Sequence, residues 1–354
     1  MKTIVRRTAL AVCTLALALI LPTAASAACT GFDDVLETAD CYESVMYLAE
    51  REIAAGTGND CFSPEQLITV EQWAVMLCRT YGAETIGDSW QDVGRSSVVE
   101  AYRQGWLNET ALSAPRSPMC RSVLVESAFA AADVPVYDST LYEGGASLST
   151  ADNILRVGRE LGLCSDDADT NALVTRGDAA IILHVVLTRS FRIEEPPVPV
   201  TLVNAAGVNV NDFLLELRKV PEQILDAFNA AGWTYCIDFD YMGGLSKKLN
   251  MSCIGATNYS QKTIYISEAS ATLHEFGHFL DWTRGFPAEH EQLFRAEAAA
   301  APLRNYAKTN AREYFADCFA YWVKYAENAN AISLLQECAP MTYRYMEDLM
   351  RIAN

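Results

Sequence analysis

The chain has 354 residues and a formal net charge of −18 at pH 7, from 45 acidic and 27 basic side chains. Nucleic acids and anionic membranes carry the same sign of charge, so neither is an expected partner. Hydrophobic residues make up 51% of the sequence, which is enough to build packed cores, and the length predicts about two domains.

The first 27 residues have the pattern of a secretory signal peptide. Three basic residues in the first seven positions precede an apolar stretch from Ala9 to Leu21, and Ala25-Ser26-Ala27 offers a cleavage site. The apolar stretch is too short for a stable transmembrane anchor, and no later segment is long and apolar enough to span a bilayer. We therefore expect an exported, soluble protein. A lipoprotein signal that uses Cys29 is the alternative.

Removal of those 27 residues would leave ten of the eleven cysteines. An even number of cysteines in an exported chain predicts disulfide bonds. Neighbouring positions suggest three pairs, although connectivity cannot be deduced from a sequence: Cys29 with Cys41, Cys236 with Cys253, and Cys318 with Cys338. No two cysteines form a C-x-x-C motif, so a cysteine zinc site is not expected.

Short motifs recur between the signal peptide and residue 192. Phe32-Asp33-Asp34-Val35 returns as Trp90-Gln91-Asp92-Val93, about 58 residues later. Thr69-Val70-Glu71 opens a helical stretch in the same way as Thr175-Arg176-Gly177-Asp178. These motifs resemble those of S-layer homology repeats. The resemblance predicts three repeats, at about 29–85, 86–137 and 138–192.

In that family a cluster of three repeats binds anionic cell-wall polysaccharide, and each repeat opens a helix with a T-R-A-E-like motif. Arg121 and Arg176 stand at the basic position of the motif here, whereas the first repeat has Val70. The resemblance therefore makes Arg121 and Arg176 candidate glycan-binding residues. A helical spacer that presents the rest of the protein is the alternative.

A proline-rich, extended segment from Glu194 to Pro199 separates this region from the remainder of the chain. It predicts an S-layer-homology-like region at 28–192, a linker at 193–200 and a second domain at 201–354. In the second domain, segments 234–239 and 262–267 are rich in β-branched and aromatic residues and predict strands. The later strand could line a cleft, where a substrate peptide would pair with its edge.

Residues 274–278 read His-Glu-Phe-Gly-His. Two histidines four positions apart on a helix project from the same face, so each can give one nitrogen to a single Zn²⁺ ion. Glu275 lies between them, where its carboxylate can reach a water molecule beside the metal. This is the physical basis of the H-E-x-x-H motif of metallopeptidases. A helix whose histidines only cap or pair is the alternative.

A third protein ligand is needed. Metzincins carry glycine three residues after His278 and histidine three further on, where this chain has Asp281 and Arg284. Asp281 is one candidate ligand, although an acidic side chain there more often supports a ligand from behind. Glu313 and Asp317 are four apart on a helix with apolar neighbours, and buried carboxylates need a cation or an N–H partner. We expect Glu313 to bind zinc and Asp317 to orient a histidine. A solvated acidic stripe is the alternative.

The H-E-F-G-H motif and the segment from Asn305 to Asp317 together resemble the catalytic domain of the anthrax lethal factor family, which includes small secreted Pro-Pro endopeptidases. The resemblance implies three zinc ligands, a general base and a tyrosine that donates a hydrogen bond to the oxyanion. His274, His278 and Glu313 would be the zinc ligands. Glu275 would be the general base, and Tyr306 would be the hydrogen-bond donor to the oxyanion. Asp281 matches an acidic position after the zinc helix, and Asp317 is shorter than the family's glutamate.

The sequence thus predicts an α+β, zincin-like catalytic domain with one Zn²⁺ per chain, preceded by a mainly α-helical S-layer-homology-like module. The expected activity is hydrolysis of a protein or peptide substrate by a secreted metalloendopeptidase of the gluzincin type, attached to the bacterial cell wall. A wall-binding surface protein with an inactive peptidase-like domain and a proline-directed (Pro-Pro) endopeptidase are the alternatives. His290, in an acidic stretch, is expected at the surface.

Overall fold

A computed structural model describes residues 31–352, so the predicted signal peptide, Cys13 and Cys29 lie outside the described residues. The chain divides into two compact units, one up to Glu195 and one from Pro196. Within residues 31–352, no helix is both long and apolar enough to cross a membrane.

The first unit is helical in its described part. Its helices are α1 Tyr42–Glu50, α2 Val70–Tyr81, α3 Trp90–Arg103, α4 Glu109–Ser113, α5 Arg121–Ala131, α6 Thr150–Glu160 and α7 Arg176–Thr188. Helix α2 packs on α3, α5 packs on α6, and α1 packs on α7. The first and last helices are joined through His184, whose Nδ1 lies 3.0 Å from the Ser44 hydroxyl and whose ring stacks on Tyr47.

The loops that lead into α2, α5 and α7 meet one another. Each loop forms a β-bridge with the other two: Leu67 with Thr175, Thr69 with Pro118, and Cys120 with Leu173. Thr69 and Thr175 also cap α2 and α7, since each hydroxyl accepts a backbone N–H three residues later. Loop pairing and helix packing therefore close the unit into a ring of three helix pairs.

The second unit combines a small sheet with helices, which confirms the predicted α+β class. Its elements are β1 Leu202–Asn204, α8 Asn211–Leu217, α9 Glu222–Ala230, β2 Thr234–Ile237, α10 Phe239–Leu249, β3 Gly255–Asn258, β4 Thr263–Ile266, α11 Thr272–Thr283, α12 Ala288–Glu297, α13 Ala311–Tyr325, α14 Ala329–Cys338 and α15 Pro340–Ile352. The sheet has the order β1-β2-β4-β3, in which only β3 runs antiparallel to its neighbour.

The strand expected at the edge of the cleft is interior. Strand β4 pairs with β2 on one side and with β3 on the other, so β3 occupies the edge. The sequence Gly255-Ala256-Thr257-Asn258 has little of the β-branched and aromatic content that marks a strand, which explains why it escaped prediction.

Helix α11 is the centre of the second unit. Phe276 and Phe279 are fully buried against Phe228, with ring centroids 5.0 and 5.1 Å away. On another face of α11, a Cβ atom added to Gly277 would lie 2.6 Å from the Ala316 Cα. Glycine therefore allows α13 to approach α11 more closely than any side chain would permit.

The described cysteines are all free thiols, so the predicted pairs Cys236–Cys253 and Cys318–Cys338 are wrong. Cys318 is fully buried beside Tyr314, and burial raises the pKa of its thiol. The Cys253 sulfur lies 3.8 Å from the Met251 carbonyl oxygen. Closeness in sequence does not fix where a thiol points, which is why the pairing failed. The Cys29–Cys41 pair involves a residue outside the described part.

Candidate metal centre

Three side-chain atoms from two helices converge in the second unit. His274 Nε2 lies 3.1 Å from His278 Nε2 and 3.1 Å from Glu313 Oε2, and His278 Nε2 lies 3.3 Å from the same oxygen. Two imidazole nitrogens and a carboxylate oxygen that face one another in this way are a group that could hold a metal ion.

Local structure explains this convergence. His274 and His278 are one turn apart on α11, and Glu313 lies in the first turn of α13. The Asn310 side chain caps that helix by accepting the backbone N–H groups of Arg312 and Glu313, at 3.0 and 3.1 Å. The cap fixes where α13 begins, and the contact at Gly277 fixes its distance from α11.

Hydrogen bonding around the site favours the ionised forms of His274 and Glu313. Burial alone would lower the pKa of His274, but hydrogen bonds to Asp317 and Glu313 outweigh it and raise the pKa to about 9. Burial opposes ionisation of Glu313 as well, yet its contacts with the two histidines hold its pKa well below the usual range. The carboxylate is therefore available as an anionic ligand at neutral pH.

Asp317 contacts His274 from the side opposite to the converging atoms. Its Oδ1 lies 2.6 Å from Nδ1 of His274. Arg304 completes the arrangement, because its Nε donates to Asp317 Oδ2 at 2.6 Å and its Nη2 donates to Oδ1 at 2.7 Å. Sequence reasoning placed Asp317 near a histidine but missed Arg304, which lies in the loop before α13 and belongs to no recognisable motif.

Glu275 is 4% exposed and lies against the edge strand. Thr257 Oγ1 donates to its Oε2 at 2.7 Å, and a Cβ at Gly255 would come within 2.6 Å of its Oε1. The carboxylate is thus fixed by one hydroxyl and by close backbone. Strand β3 supplies both contacts, and because its composition does not mark it as a strand, neither Gly255 nor Thr257 could be predicted as a contact of Glu275.

Tyr306 lies beside the candidate metal ligands, and its ring centroid is 6.1 Å from that of His274. Its side chain is partly open to solvent, with 41% of the residue surface exposed. Burial and the nearby carboxylates of Glu313 and Glu275 raise the pKa of its phenol to about 12, so it remains a hydrogen-bond donor at neutral pH. Tyr306, His274, Glu275 and Arg304 all line a cleft of about 790 Å³, which is large enough for a peptide segment.

Asp281 pairs with His290, and this histidine is buried rather than at the surface. Asp281 Oδ1 lies 2.8 Å from Nδ1 of His290, and both side chains are buried. His290 also contacts the Tyr345 hydroxyl at 2.8 Å and stacks on Phe315. The expectation of a surface histidine is therefore wrong, because His290 lies on the face of α12 that is turned inward, together with Leu293 and Glu297. The Nδ1 of His278 has no hydrogen-bond partner among the described residues.

The two arginines predicted to bind glycan are engaged within the first unit. Arg176 is buried, with Nε donating to the Phe62 carbonyl at 2.9 Å and Nη2 donating to that of Ala55 at 3.0 Å. Arg121 Nη2 lies 3.6 Å from Asp178 Oδ2. This unit also contains a cavity of about 470 Å³, whose lining includes Gln66, Gln72, Arg79, Trp90 and Arg176.

Comparisons with known proteins agree with the motif resemblances. Residues 238–349 match the family model described as anthrax toxin lethal factor, N- and C-terminal domain, and residues 31–72 match the S-layer homology domain. A similar solved structure is that of the Pro-Pro endopeptidase from Paenibacillus alvei, with 20% identity and a TM-score of 0.35. That match covers 42% of this chain and 96% of the other. No curated protein matches the chain.

Both sequence resemblances are therefore confirmed, each over its matched segment. Every side chain of the converging group lies inside the first of these segments. The chain combines a lethal-factor-like domain, which contains the whole candidate metal centre, with an S-layer homology segment near its N-terminus.

Proposed function

We propose that residues 201–354 form a zinc-dependent endopeptidase of the gluzincin type, carried by a protein of the bacterial cell surface. The observation that supports this most directly is the convergence of His274, His278 and Glu313 beside a cleft that also contains Glu275. The match to the lethal factor family supports a peptidase independently of that geometry.

The donor set fits zinc. Ligand atoms held at about 2.0–2.1 Å in a tetrahedron are about 3.3 Å from one another. The three separations between His274 Nε2, His278 Nε2 and Glu313 Oε2 are 3.1, 3.1 and 3.3 Å. Two imidazoles and one carboxylate are also the ligand types of catalytic zinc sites that leave a fourth position open. These three residues would hold one ion per chain.

When bound, zinc supplies a Lewis acid that acidifies water and polarises a peptide carbonyl. Glu275 acts as the general base: its carboxylate takes a proton from water as the oxygen attacks the scissile carbonyl carbon. It then delivers that proton to the nitrogen of the leaving amine as the C–N bond breaks. The hydroxyl of Thr257 holds one carboxylate oxygen, so the other is left for the water.

Two further residues complete this proposal. Tyr306 remains protonated and donates a hydrogen bond to the developing oxyanion, and one such donor typically contributes about 3–4 kcal/mol. Asp317 accepts the Nδ1 hydrogen of His274, so Nε2 is the nitrogen that would lose its proton and bind the metal. Asp281 contacts neither metal-binding histidine in this arrangement, so its contribution is to the packing of α11 and α12.

We propose a surface location from the first unit. The S-layer homology match supports association with cell-wall polysaccharide, and export would follow from the predicted signal peptide. An anionic glycan needs cations within reach. Arg79 lines the cavity of this unit and is exposed, whereas Arg121 and Arg176 are engaged internally. Loss of pelleting with purified wall on Arg79→Ala would support glycan binding at this cavity, and unchanged pelleting would refute it.

The peptidase is tested by digesting a peptide library, including Pro-Pro sequences, with the protein lacking residues 1–27. Mass spectrometry reads the cleaved bonds. We expect cleavage that is lost on Glu275→Ala and with a chelator, and retained in Glu291→Ala, which alters an exposed glutamate of the same unit. Cleavage confined to Pro-Pro sequences would establish the proline-directed alternative. One bound zinc without any cleavage would favour a wall-binding protein with an inactive domain, and failure to bind zinc would refute the proposal.

A further inference from the structure

Arg304 forms a bidentate contact with Asp317, and the proposed chemistry does not use Arg304 directly. Its Nε and Nη2 donate to the two carboxylate oxygens of Asp317, at 2.6 and 2.7 Å. Paired, charge-assisted contacts of this kind fix both the position and the plane of a carboxylate. Asp317 is buried, yet 53% of the Arg304 side chain is exposed, so the clamp is applied from the cleft side.

The clamp reaches His274 through a shared atom. Asp317 Oδ1 accepts from Arg304 and also lies 2.6 Å from His274 Nδ1. Arg304 Nη2 is itself 3.1 Å from that nitrogen, and a guanidinium can only donate. If Asp317 rotated away, Nη2 could donate to an unprotonated Nδ1, and the ring hydrogen would move to Nε2. In that tautomer Nε2, the nitrogen that faces Glu313 and His278, has no lone pair for a metal ion.

The same guanidinium contacts the second functional group of the cleft. The Arg304 Cζ lies 5.2 Å from the centre of the Tyr306 ring, within the range of a cation–π contact. Tyr306 is 41% exposed, so packing against the protein restrains only part of its ring. Arg304 therefore contacts Asp317, which orients the candidate ligand His274, and also contacts the ring of Tyr306.

We infer that Arg304 is a positioning residue, which sets the metal-binding tautomer of His274 through Asp317 and the orientation of the Tyr306 phenol through its ring. The inference rests on the proposed zinc peptidase function. It predicts two separable effects of removing the guanidinium: weaker zinc binding, and a lower kcat when zinc is saturating.

The test compares Arg304→Gln with the wild type in two measurements, zinc Kd by chelator competition and kcat and KM on a peptide from the library digest. We expect the zinc Kd to rise about 10–100-fold, as is usual when a residue that orients a metal ligand is removed. At saturating zinc we expect kcat to fall while KM changes less than about twofold. Arg295→Gln, at an exposed arginine of the same unit, should leave all three constants unchanged.

Double variants separate the two routes. In an Asp317→Asn background, Arg304→Gln should have no further effect on zinc Kd. In a Tyr306→Phe background, it should have no further effect on kcat at saturating zinc. Arg304→Lys keeps the positive charge but cannot form the bidentate contact with Asp317. Its zinc Kd should therefore lie between those of the wild type and Arg304→Gln.

The outcomes of these measurements distinguish failure of the positioning role of Arg304 from failure of the proposed peptidase function. Wild-type zinc affinity and kcat in Arg304→Gln would overturn the positioning role while leaving the peptidase intact. Full additivity in both double variants would also overturn it, because Arg304 would then act independently of Asp317 and Tyr306. If the wild type itself bound no zinc or cleaved no peptide, the peptidase proposal would fail, and the positioning role with it.

Discussion

Gly277→Ala is the sharpest test of how α11 and α13 form the candidate metal centre. The added Cβ would lie 2.6 Å from Ala316 Cα and 2.8 Å from the Ala316 carbonyl oxygen. Carbon atoms in contact prefer about 3.5–4.0 Å, so α13 must move away by about 1 Å. Ala316 follows Glu313 by less than one turn, and the carboxylate would move with it.

Two opposing terms set the expected change in stability. Relieving an overpacked contact costs about 1–3 kcal/mol, whereas replacing glycine by alanine within a helix favours folding by about 1 kcal/mol. The net loss should be about 0–2 kcal/mol. Zinc binding should suffer more clearly, because ligand distances tolerate only about 0.2 Å. We expect the zinc Kd to rise about tenfold or more.

Urea denaturation and chelator competition measure the two quantities, and Gly244→Ala is the matched control. Gly244 lies in α10 of the same unit, is exposed, and an added Cβ there meets nothing within 4 Å. This control should gain up to about 1 kcal/mol without a change in zinc affinity. If Gly277→Ala gained as much stability as the control and bound zinc equally well, the close approach would have no role in shaping the site.

Three other predictions follow from the described contacts. Tyr306→Phe should lower kcat by about 10²–10³-fold with the zinc Kd unchanged, and a normal kcat would exclude it as the oxyanion donor. Asp281→Ala should destabilise the unit by about 1–3 kcal/mol in urea denaturation, because the buried Nδ1 of His290 loses its hydrogen-bond partner. A weakened zinc affinity of the folded variant would instead indicate contact with a ligand. Burial raises the pKa of Cys78 to about 11, so at pH 8.5 its alkylation should be far slower than that of Cys61. The alkylation rate of Cys78, followed by peptide mass spectrometry, should rise about tenfold per pH unit.

Spacing along helices was sufficient to predict much of the candidate site. His274 and His278 share a helix face through their four-residue separation, and the same separation puts Glu313 and Asp317 on one face of α13. A buried carboxylate needs a partner, and this need pointed to the histidines. The contacts of Asp317 with His274 and of Glu313 with both histidines have the expected geometry, while the zinc itself remains a proposal.

The remaining contacts depend on tertiary structure that has no local signal. Arg304 reaches Asp317 from a loop, and Thr257 reaches Glu275 from a strand whose composition does not mark it as one. His290 lies between two glutamates in the sequence, yet the helix turns it toward Asp281. The rule that polar stretches are exposed describes an average over a helix and cannot assign an individual side chain.

The ring in the first unit has a consequence for how that unit folds and evolves. Open repeat arrays can gain or lose a repeat at either end, because each repeat contacts only its neighbours. Here α1 packs on α7 and each of three loops bridges to both others, so no helix pair is terminal within residues 31–195. A fourth pair would have no place to insert, and deletion of one pair would leave two helix faces uncovered at once. The unit should therefore unfold in a single cooperative step, with its number of helix pairs fixed by closure.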